Sequence, residues 1–262
     1  MSSNSKRITL AVNDGTEMSA YVSFPADDGG NVARPGILVL QEARGVNSQI
    51  RALADRYASL GFVAIAPDLF HRTNPGYEAR DLDLELVMPI VRALTNEGLI
   101  ADVRSAHSWL TLQANVQPEK SAVVGFCLGG RAAYLANTVV TLGAAISYYG
   151  GSIAPGLLGL APSLHAPHLF FWGGEDKGIP PEQRRAVADA LTEAGKRFVN
   201  VEFSDCNHAF FNEDSPDRYN AAAARQSWAI GTAFLQDCLA VTLQTASGPG
   251  VGDQVRGENH GR

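Results

Sequence analysis

Short apolar runs separated by longer amphipathic segments dominate the chain from residue 36 to residue 239. The runs are almost continuously hydrophobic, which is typical of parallel strands that are covered by helices on both faces. They cover residues 36–40, 62–66, 121–125, 143–147, 168–172 and 199–203. Between and after them, apolar residues recur at helical spacing. The predicted helices cover residues 48–60, 82–94, 100–114, 129–137, 181–194 and 218–239.

The first part of the chain has a different pattern. Residues 8–12 and 18–24 alternate between apolar and polar positions and flank the turn sequence Asn13-Asp14-Gly15, which predicts an antiparallel hairpin. The whole pattern predicts an α/β fold, with a doubly wound, mostly parallel sheet that carries this N-terminal hairpin and has helices on both faces. We expect one domain over residues 1–245. Residues 246–262 are glycine-rich, polar and aperiodic, which favours a disordered C-terminal tail.

Composition narrows the classes of function. With 262 residues, 45% hydrophobic and 18% charged, the chain is typical of a folded globular protein. Its net charge of −6 provides no basic field for nucleic acid or an anionic membrane. Glycines and prolines interrupt the uncharged stretch 132–174, which argues against a membrane span. The apolar segment 8–12 is too short and polar for the core of a signal peptide, so we expect no export. Three scattered cysteines predict neither a disulfide framework nor a metal site and favour a reducing cytoplasm. We expect no cofactor.

The strongest chemical signal is the segment Gly125-Phe-Cys127-Leu-Gly129, which follows an apolar strand and opens a predicted helix. A nucleophile between two glycines on such a strand-to-helix turn is typical of a nucleophile elbow, here with sulfur in place of the usual serine oxygen. The alternative is that Cys127 is only a small buried hydrophobe. The strand before it and the helix after it favour the nucleophile.

The remaining members of a catalytic triad are expected downstream, in the order acid and then histidine. Glu175 and Asp176 lie on the loop after the predicted strand 168–172, and His208 lies on the loop after the next strand. Because the carboxyl ends of parallel strands meet at one edge of a sheet, these side chains can converge on Cys127. The alternative for His208 is a solvated loop histidine. His165 and His168 lack a third ligand at suitable spacing, so we predict no metal.

An oxyanion hole needs two backbone donors. We expect the Leu128 amide, directly after the nucleophile, to be one donor. The Ala43 amide, in the loop 41–46, is expected to be the other. Glu42, at the end of the strand before Ala43, is expected close to the thiol. The alternative is that Glu42 is a solvated loop acid.

With these motifs, the chain resembles the dienelactone hydrolase (carboxymethylenebutenolidase) family of the α/β-hydrolase fold. The resemblance covers roughly residues 8–240. It rests on Gln41-Glu42, Gly45-Val46-Asn47, Ala66-Pro67-Asp68-Leu69-Phe70, Gly125-Phe-Cys127-Leu-Gly-Gly130, Tyr148-Tyr149-Gly150, Gly173-Gly174-Glu-Asp176 and Asn207-His208-Ala-Phe210.

The resemblance implies specific roles for these residues. It implies a triad of Cys127, His208 and Asp176, with Glu42 holding or deprotonating the thiol. It implies that Arg72 engages a substrate carboxylate, and Tyr149 and Asn212 are further candidates for substrate binding. Two positions depart from the family: Asn212 stands where some members carry a second arginine, and Arg44 stands where a bulky aromatic residue is frequent.

The sequence therefore predicts a hydrolase that cleaves an enol lactone or activated carboxylic ester through a thioester acyl-enzyme. One alternative is a broad carboxylesterase or thioesterase with the same triad. Another is a non-catalytic ligand receptor or thiol redox sensor on the same fold. The expected partner is a small ester or lactone, with or without a carboxylate, bound by a monomer or homodimer. The apolar stretch 153–161 is compatible with a lid, a part of the core or a dimer contact.

Overall fold

The protein is built on one eight-stranded sheet. Its structure, a computed structural model, describes residues 4–26, 32–81 and 83–243. The strands are β1 (Asn4–Ala11), β2 (Glu17–Phe24), β3 (Arg34–Leu40), β4 (Val63–Pro67), β5 (Val116–Phe126), β6 (Ala144–Tyr148), β7 (His168–Gly173) and β8 (Phe198–Phe203). Their order across the sheet is β1-β2-β4-β3-β5-β6-β7-β8. β2 pairs antiparallel with β1 and β4, and all other neighbours are parallel. The predicted disordered tail, 246–262, lies outside the described residues.

In the described part of the chain, six α-helices cover the sheet: α1 (Ser48–Ser59), α2 (Leu84–Arg92), α3 (Asn96–Thr111), α4 (Leu128–Val139), α5 (Pro181–Glu193) and α6 (Ala221–Leu239). α1 contacts α6 through Arg56, whose guanidinium carbon lies 3.6 Å from the Trp228 ring centroid. α3 and α4 pack on each other as a second pair of helices. The predicted fold class, a mostly parallel sheet with helices on both faces and an N-terminal hairpin, is confirmed. Within the three described ranges, no helix is long and apolar enough to cross a membrane.

Two helices begin three or more residues away from the predicted start, because capping side chains, rather than hydrophobic spacing, determine where they begin. Thr95 Oγ1 accepts a hydrogen bond from the Gly98 amide at 3.0 Å, so α3 begins at Asn96 instead of residue 100. Asn220 Oδ1 accepts from two amides of the first turn of α6, so this helix begins at Ala221 instead of residue 218. Residue 218 therefore lies in the preceding loop, close to the end of the sheet that carries the predicted site.

The apolar stretch 153–161 forms part of the core. It leads into a 3₁₀ helix over Leu158–Ser163, which packs on α4 and α5. Ile153, Leu157 and Ala161 are buried. Of the three interpretations that the sequence left open, packing in the core is the one that the structure supports.

The loop after β4 is fastened to α3 by a buried carboxylate. Asp102 on α3 is fully buried, and Arg72 donates to its two oxygens through Nη1 and Nη2 at 2.9 and 2.8 Å. His71 Nε2 lies 3.0 Å from the same carboxylate. Arg72 also donates through Nε to Asp14 in the hairpin turn at 2.7 Å. These contacts connect the hairpin, the β4 loop and α3.

Replacing Asp102 by alanine should destabilise the fold, because it leaves Arg72 and the buried His71 without their shared acceptor. We expect a loss of about 3 kcal/mol in the free energy of unfolding, measured by urea denaturation. Asp14→Ala, which removes the more exposed partner of Arg72, is the matched control and should cost clearly less. Equal losses in the two variants would contradict the structural role of Asp102.

Candidate active site

Cys127 lies on a sharp turn between β5 and α4. Its backbone has φ 54° and ψ −117°, a conformation that non-glycine residues rarely adopt. Its amide donates to the Tyr148 carbonyl of the neighbouring β6 at 3.0 Å, and its carbonyl accepts from the Gly130 amide at 2.9 Å. The surrounding strands and helix therefore hold the strained residue in place, as in a nucleophile elbow.

The glycines beside Cys127 are required by close backbone approaches. A Cβ on Gly125 would lie 1.8 Å from the Gly129 carbonyl oxygen. A Cβ on Gly129 would lie 2.4 Å from the Leu40 carbonyl oxygen at the end of β3. Neither position has room for a side chain, so the Gly-x-Cys-x-Gly pattern follows directly from the packing of the turn.

His208 and Asp176 converge on the Cys127 thiol from the loops after β8 and β7. His208 Nε2 lies 3.1 Å from Cys127 Sγ, and His208 Nδ1 lies 2.7 Å from Asp176 Oδ2. The other carboxylate oxygen of Asp176 accepts from the Gly178 amide at 2.9 Å. Asp176 thus holds the imidazole with one nitrogen directed at sulfur, the arrangement that activates a nucleophile. Glu175 takes no part in this chain of hydrogen bonds.

The charges in this row of side chains support an ion pair. Burial disfavours the charged form of His208, but the negative charge on Cys127 and the hydrogen bonds to Asp176 and Cys127 outweigh it and raise the pKa of His208 well above its usual value. Burial likewise opposes ionisation of Asp176, yet its hydrogen bond to His208 and the histidine charge lower the pKa of this carboxyl. Both shifts favour a protonated His208 between a carboxylate and sulfur.

Glu42 is buried in the same cavity as the thiol, and both of its oxygens have partners. Tyr149 donates its hydroxyl proton to Oε1 at 2.8 Å, and the Asn212 side-chain amide donates to Oε2. Burial raises the pKa of Glu42, opposed by these two hydrogen bonds and by the positive charges of His208 and Arg44. The thiol is hydrogen-bonded to His208, and no hydrogen bond joins it to Glu42 among the described residues.

Tyr149 and Asn212 were predicted to bind substrate, and the structure places both beside Glu42 instead. Both side chains are fully buried, and neither lines the cavity above the thiol. Their hydrogen bonds hold the Glu42 carboxylate in its orientation.

The two predicted oxyanion donors lie next to Cys127 in the structure. Leu128 is the first residue of α4, where the leading N–H groups have no partner within their own helix. Ala43 follows β3 and lines the cavity above the thiol. Neither amide donates a hydrogen bond within the described part of the chain. Both are therefore available to an oxygen bound above Cys127.

Arg72 is not brought together with the other predicted site residues. Its guanidinium is committed to Asp102 and Asp14, as described above, and it does not line the cavity above the thiol. This position gives no support to the expected contact with a substrate carboxylate. Sequence reasoning missed instead that Arg44, Ser215 and Arg218 line this cavity. In the sequence, Arg44 stands out only as a departure from the family, and the helical spacing places Arg218 in a predicted helix.

The other two cysteines and His168 lie in surroundings that disfavour their charged forms. Burial and the neighbouring Asp205 raise the pKa of Cys206 to about 11, and burial raises the pKa of Cys238. His168 is fully buried against Ser147 Oγ at 2.9 Å, and burial lowers its pKa to about 3. Over residues 4–26, 32–81 and 83–243, no group of three or more metal-ligating side chains is placed to hold an ion.

Comparison with known proteins identifies relatives over most of the chain. The model of the dienelactone hydrolase family matches residues 18–239. A Synechocystis protein is 30% identical over 225 residues, 82% of this chain and 90% of its own length. A Salmonella typhimurium protein is 32% identical over 230 residues, 84% of this chain and 83% of its own. Both are named "Putative carboxymethylenebutenolidase".

A solved structure agrees with these relatives. A Klebsiella pneumoniae protein, described as a "Putative Dienelactone Hydrolase", superposes with a TM-score of 0.80 at 25% identity, over 90% of this chain and 99% of that one. The resemblance seen in the motifs is therefore confirmed. The chain belongs to the dienelactone hydrolase family and is an ester or lactone hydrolase.

Proposed function

We propose that this protein hydrolyses activated esters or enol lactones through a Cys127, His208 and Asp176 triad and a thioester acyl-enzyme. The observation that carries the proposal is the continuous row of hydrogen bonds from Asp176 through His208 to a cysteine held in a nucleophile elbow. The perturbed pKa values of His208 and Asp176 add support, since they favour a protonated imidazole beside sulfur.

In the first half of the reaction, the Cys127 thiolate attacks the carbonyl carbon and forms a C–S bond. The oxygen that gains the charge accepts hydrogen bonds from the Leu128 and Ala43 amides. The C–O bond to the leaving group then breaks, and protonated His208 can give its proton to the departing oxygen. The product of this half is a thioester on Cys127. In a lactone, ring opening leaves this oxygen on the acyl chain of the thioester, and it stays in the acid that the second half releases.

In the second half, neutral His208 accepts a proton from a water molecule as that water attacks the thioester carbonyl. The tetrahedral intermediate expels the Cys127 thiolate and releases the acid, and His208 is again protonated. Asp176 keeps the imidazole oriented through both halves. Glu42, held by Tyr149 and Asn212, attracts the positive charge of His208 and thereby favours its protonated form.

Removing the nucleophile or the histidine should abolish turnover without unfolding the protein. Cys127→Ala and His208→Ala should each lower kcat for 4-nitrophenyl acetate by at least about a hundredfold. Cys238→Ala, which removes a thiol on the last helix, is the control and should retain activity. Wild-type rates in a folded Cys127→Ala protein would refute the proposed nucleophile.

The protonated histidine should also make Cys127 the thiol that iodoacetamide modifies first at neutral pH, because Cys206 and Cys238 have raised pKa values. Since the pKa of His208 is raised, its positive charge persists as the pH rises through neutrality and stabilises the thiolate. His208→Asn removes that charge and should slow the alkylation of Cys127 at pH 7 by about tenfold or more. Peptide mass spectrometry measures both effects, and an unchanged alkylation rate would contradict the ion pair.

The leaving group should decide which esters react. A thiolate (thiol pKa about 8.5) leaves the tetrahedral intermediate more readily than an alkoxide (parent pKa near that of water, about 15.7), whereas a phenolate (about 10) competes better. Phenyl esters and enol lactones should therefore turn over at least about a hundred times faster than ethyl esters, and amides should react poorly.

Intact-mass measurement during turnover of 4-nitrophenyl acetate tests the intermediate directly. A transient acyl adduct that maps to the Cys127 peptide is the expected result. If neither an adduct nor turnover is observed, the protein is instead a non-catalytic receptor or thiol sensor on the same fold.

A further inference from the structure

β8 (Phe198–Phe203) is the last strand of the sheet, and its outer side has no neighbouring strand among the described residues. The two strands before it, β6 and β7, are buried along their whole length. In β8 no residue is fully buried on either face of the sheet, and Val199 is 41% exposed. The helices on the two faces therefore leave this edge of the sheet accessible.

The outer side of β8 carries unpaired backbone groups, and two hydrogen bonds to β7 show which ones they are. The His168 amide donates to the Arg197 carbonyl at 3.1 Å, and the Gly174 amide donates to the last residue of β8 at 2.8 Å. In a strand, the N–H and C=O of one residue point to one side, and those of the next residue point to the other. The odd-numbered residues of β8 therefore face β7. The residues that direct their N–H and C=O groups outward are Phe198, Asn200 and Glu202. No hydrogen bond from another element reaches these groups in the part of the chain that the structure describes.

This edge lacks the features that usually keep an exposed strand from pairing with another chain. Edge strands are typically protected by prolines, lysines or bulges. The opposite edge of the sheet, β1, carries Lys6 and Arg7 within the strand. β8 contains no proline or lysine and pairs with β7 without a bulge. Its single charged residue, Glu202, lies 3.1 Å from Arg184 Nε of the same chain. The protein therefore protects one edge of its sheet and leaves the other able to pair.

The outward groups of β8 are complementary to those of a second copy of the same strand. When two copies run antiparallel with Asn200 on the two-fold axis, Asn200 faces Asn200, and Phe198 faces Glu202 of the second copy. In such hydrogen-bonded pairs, the two opposite residues exchange both of their backbone bonds. Every outward donor and acceptor of both strands is then paired. A shift by one residue would place inward-facing groups opposite outward ones, and a shift by two would leave an end of each strand unpaired.

The side chains on the other face of the strand also match in this register. Val199 and Val201 lie on the face opposite Asn200, because successive side chains of a strand alternate between its faces. Each Val199 packs against Val201 of the second copy, in a pair without hydrogen bonds, where side chains come closest. Pairs of β-branched residues at such positions stabilise a sheet, and this pair covers the exposed surface of Val199.

The charges at the two ends of β8 favour the antiparallel arrangement. Lys196 and Arg197 precede the strand, whereas Glu202 and Asp205 lie at its end. In an antiparallel pair, the start of one strand meets the end of the other, so the basic residues of each copy approach the acidic residues of the other copy. A parallel pair would place like charges beside each other and would not close with two-fold symmetry. Charge complementarity therefore identifies a second copy of this chain as the occupant of the edge.

We propose that the protein forms a two-fold dimer in which β8 pairs with β8 of a second copy, so that one sheet runs through both. This inference is independent of the proposed hydrolase function. The two strands run in opposite directions, and the active site lies at the carboxyl ends of the strands. The two active sites therefore open on opposite sides of the dimer, and neither is covered by the other copy.

Sedimentation velocity of the full chain, over about a hundredfold range of concentration, tests the dimer. The expected result is a species of twice the 27.9 kDa mass of one chain, in equilibrium with the monomer. Val199→Lys should raise the dissociation constant at least about a hundredfold, because two-fold symmetry puts a lysine into both valine pairs. Thr9→Lys places the same charge at an exposed position of β1 and is the matched control, which should leave the constant unchanged.

Asn200→Pro is a second variant that should prevent dimerisation. The Asn200 amide faces outward, so proline leaves the pairing with β7 intact while its ring removes a donor and blocks the other copy. Circular dichroism checks that each variant is folded. Asn200→Pro remains informative if Val199→Lys fails to fold.

A chain that stays monomeric over the whole range would overturn the proposal, and so would a dimer that neither β8 variant weakens. A dimer that only Thr9→Lys weakens would assign the contact to β1 instead. Hydrogen exchange measured residue by residue then tests the register. The outward amides of Phe198, Asn200 and Glu202 should exchange at least about tenfold more slowly in the dimer than in the Val199→Lys monomer. Equal rates would contradict pairing through β8. Slow exchange of these amides in a monomeric wild-type chain would assign the edge to residues 244–262 of the same chain and overturn the dimer.

Discussion

The active site depends on one strained residue. Cys127 adopts a positive φ at the sharp turn where β5 ends and α4 begins. That conformation is unfavourable for a residue with a Cβ, so the packing around it must compensate. The compensation comes from backbone hydrogen bonds to β6 and from glycines that let α4 approach β3 closely. Leu128, the first residue of α4, directly follows Cys127, and its amide donates no hydrogen bond among the described residues, as the proposed oxyanion donor requires.

The second constraint is the position of one proton. His208 lies between a buried carboxylate and a thiol, and its raised pKa favours the protonated imidazole. Glu42 adds a further carboxyl group to this region; burial raises its pKa, and hydrogen bonds from the neutral donors Tyr149 and Asn212 oppose that rise. A neutral donor at residue 212 therefore favours the Glu42 carboxylate without adding a positive charge beside His208.

The strands and helices could be predicted from the sequence because local hydrophobic patterns determine them. All eight strands and six helices were expected, since continuous apolar runs and helical spacing are direct signals of a sheet covered on both faces. Cys127, Asp176 and His208 were predictable because strand ends in a parallel sheet share one edge. Helix starts were less accurate, because the capping by Thr95 and Asn220 depends on single hydrogen bonds. The surroundings of Arg72, Tyr149 and Arg44 could not be predicted, because each depends on a partner more than 25 residues away in the chain.

The turn from Glu42 to Gly45 has a consequence for laboratory evolution of this enzyme. Three consecutive residues carry an acid, a proposed oxyanion amide and a buried cation, and the turn closes with the Gly45 amide donating to the Glu42 carbonyl at 3.1 Å. Gly45 has φ +77°, and a Cβ there would lie 1.8 Å from the Tyr77 carbonyl oxygen, so the turn has little freedom to adjust. Mutations at residue 44 that widen the range of substrates will therefore disturb residues 42 and 43 as well. Libraries that randomise residue 218 instead can change the mouth of the cavity while leaving this turn intact, and they are the better starting point for altering specificity without losing rate.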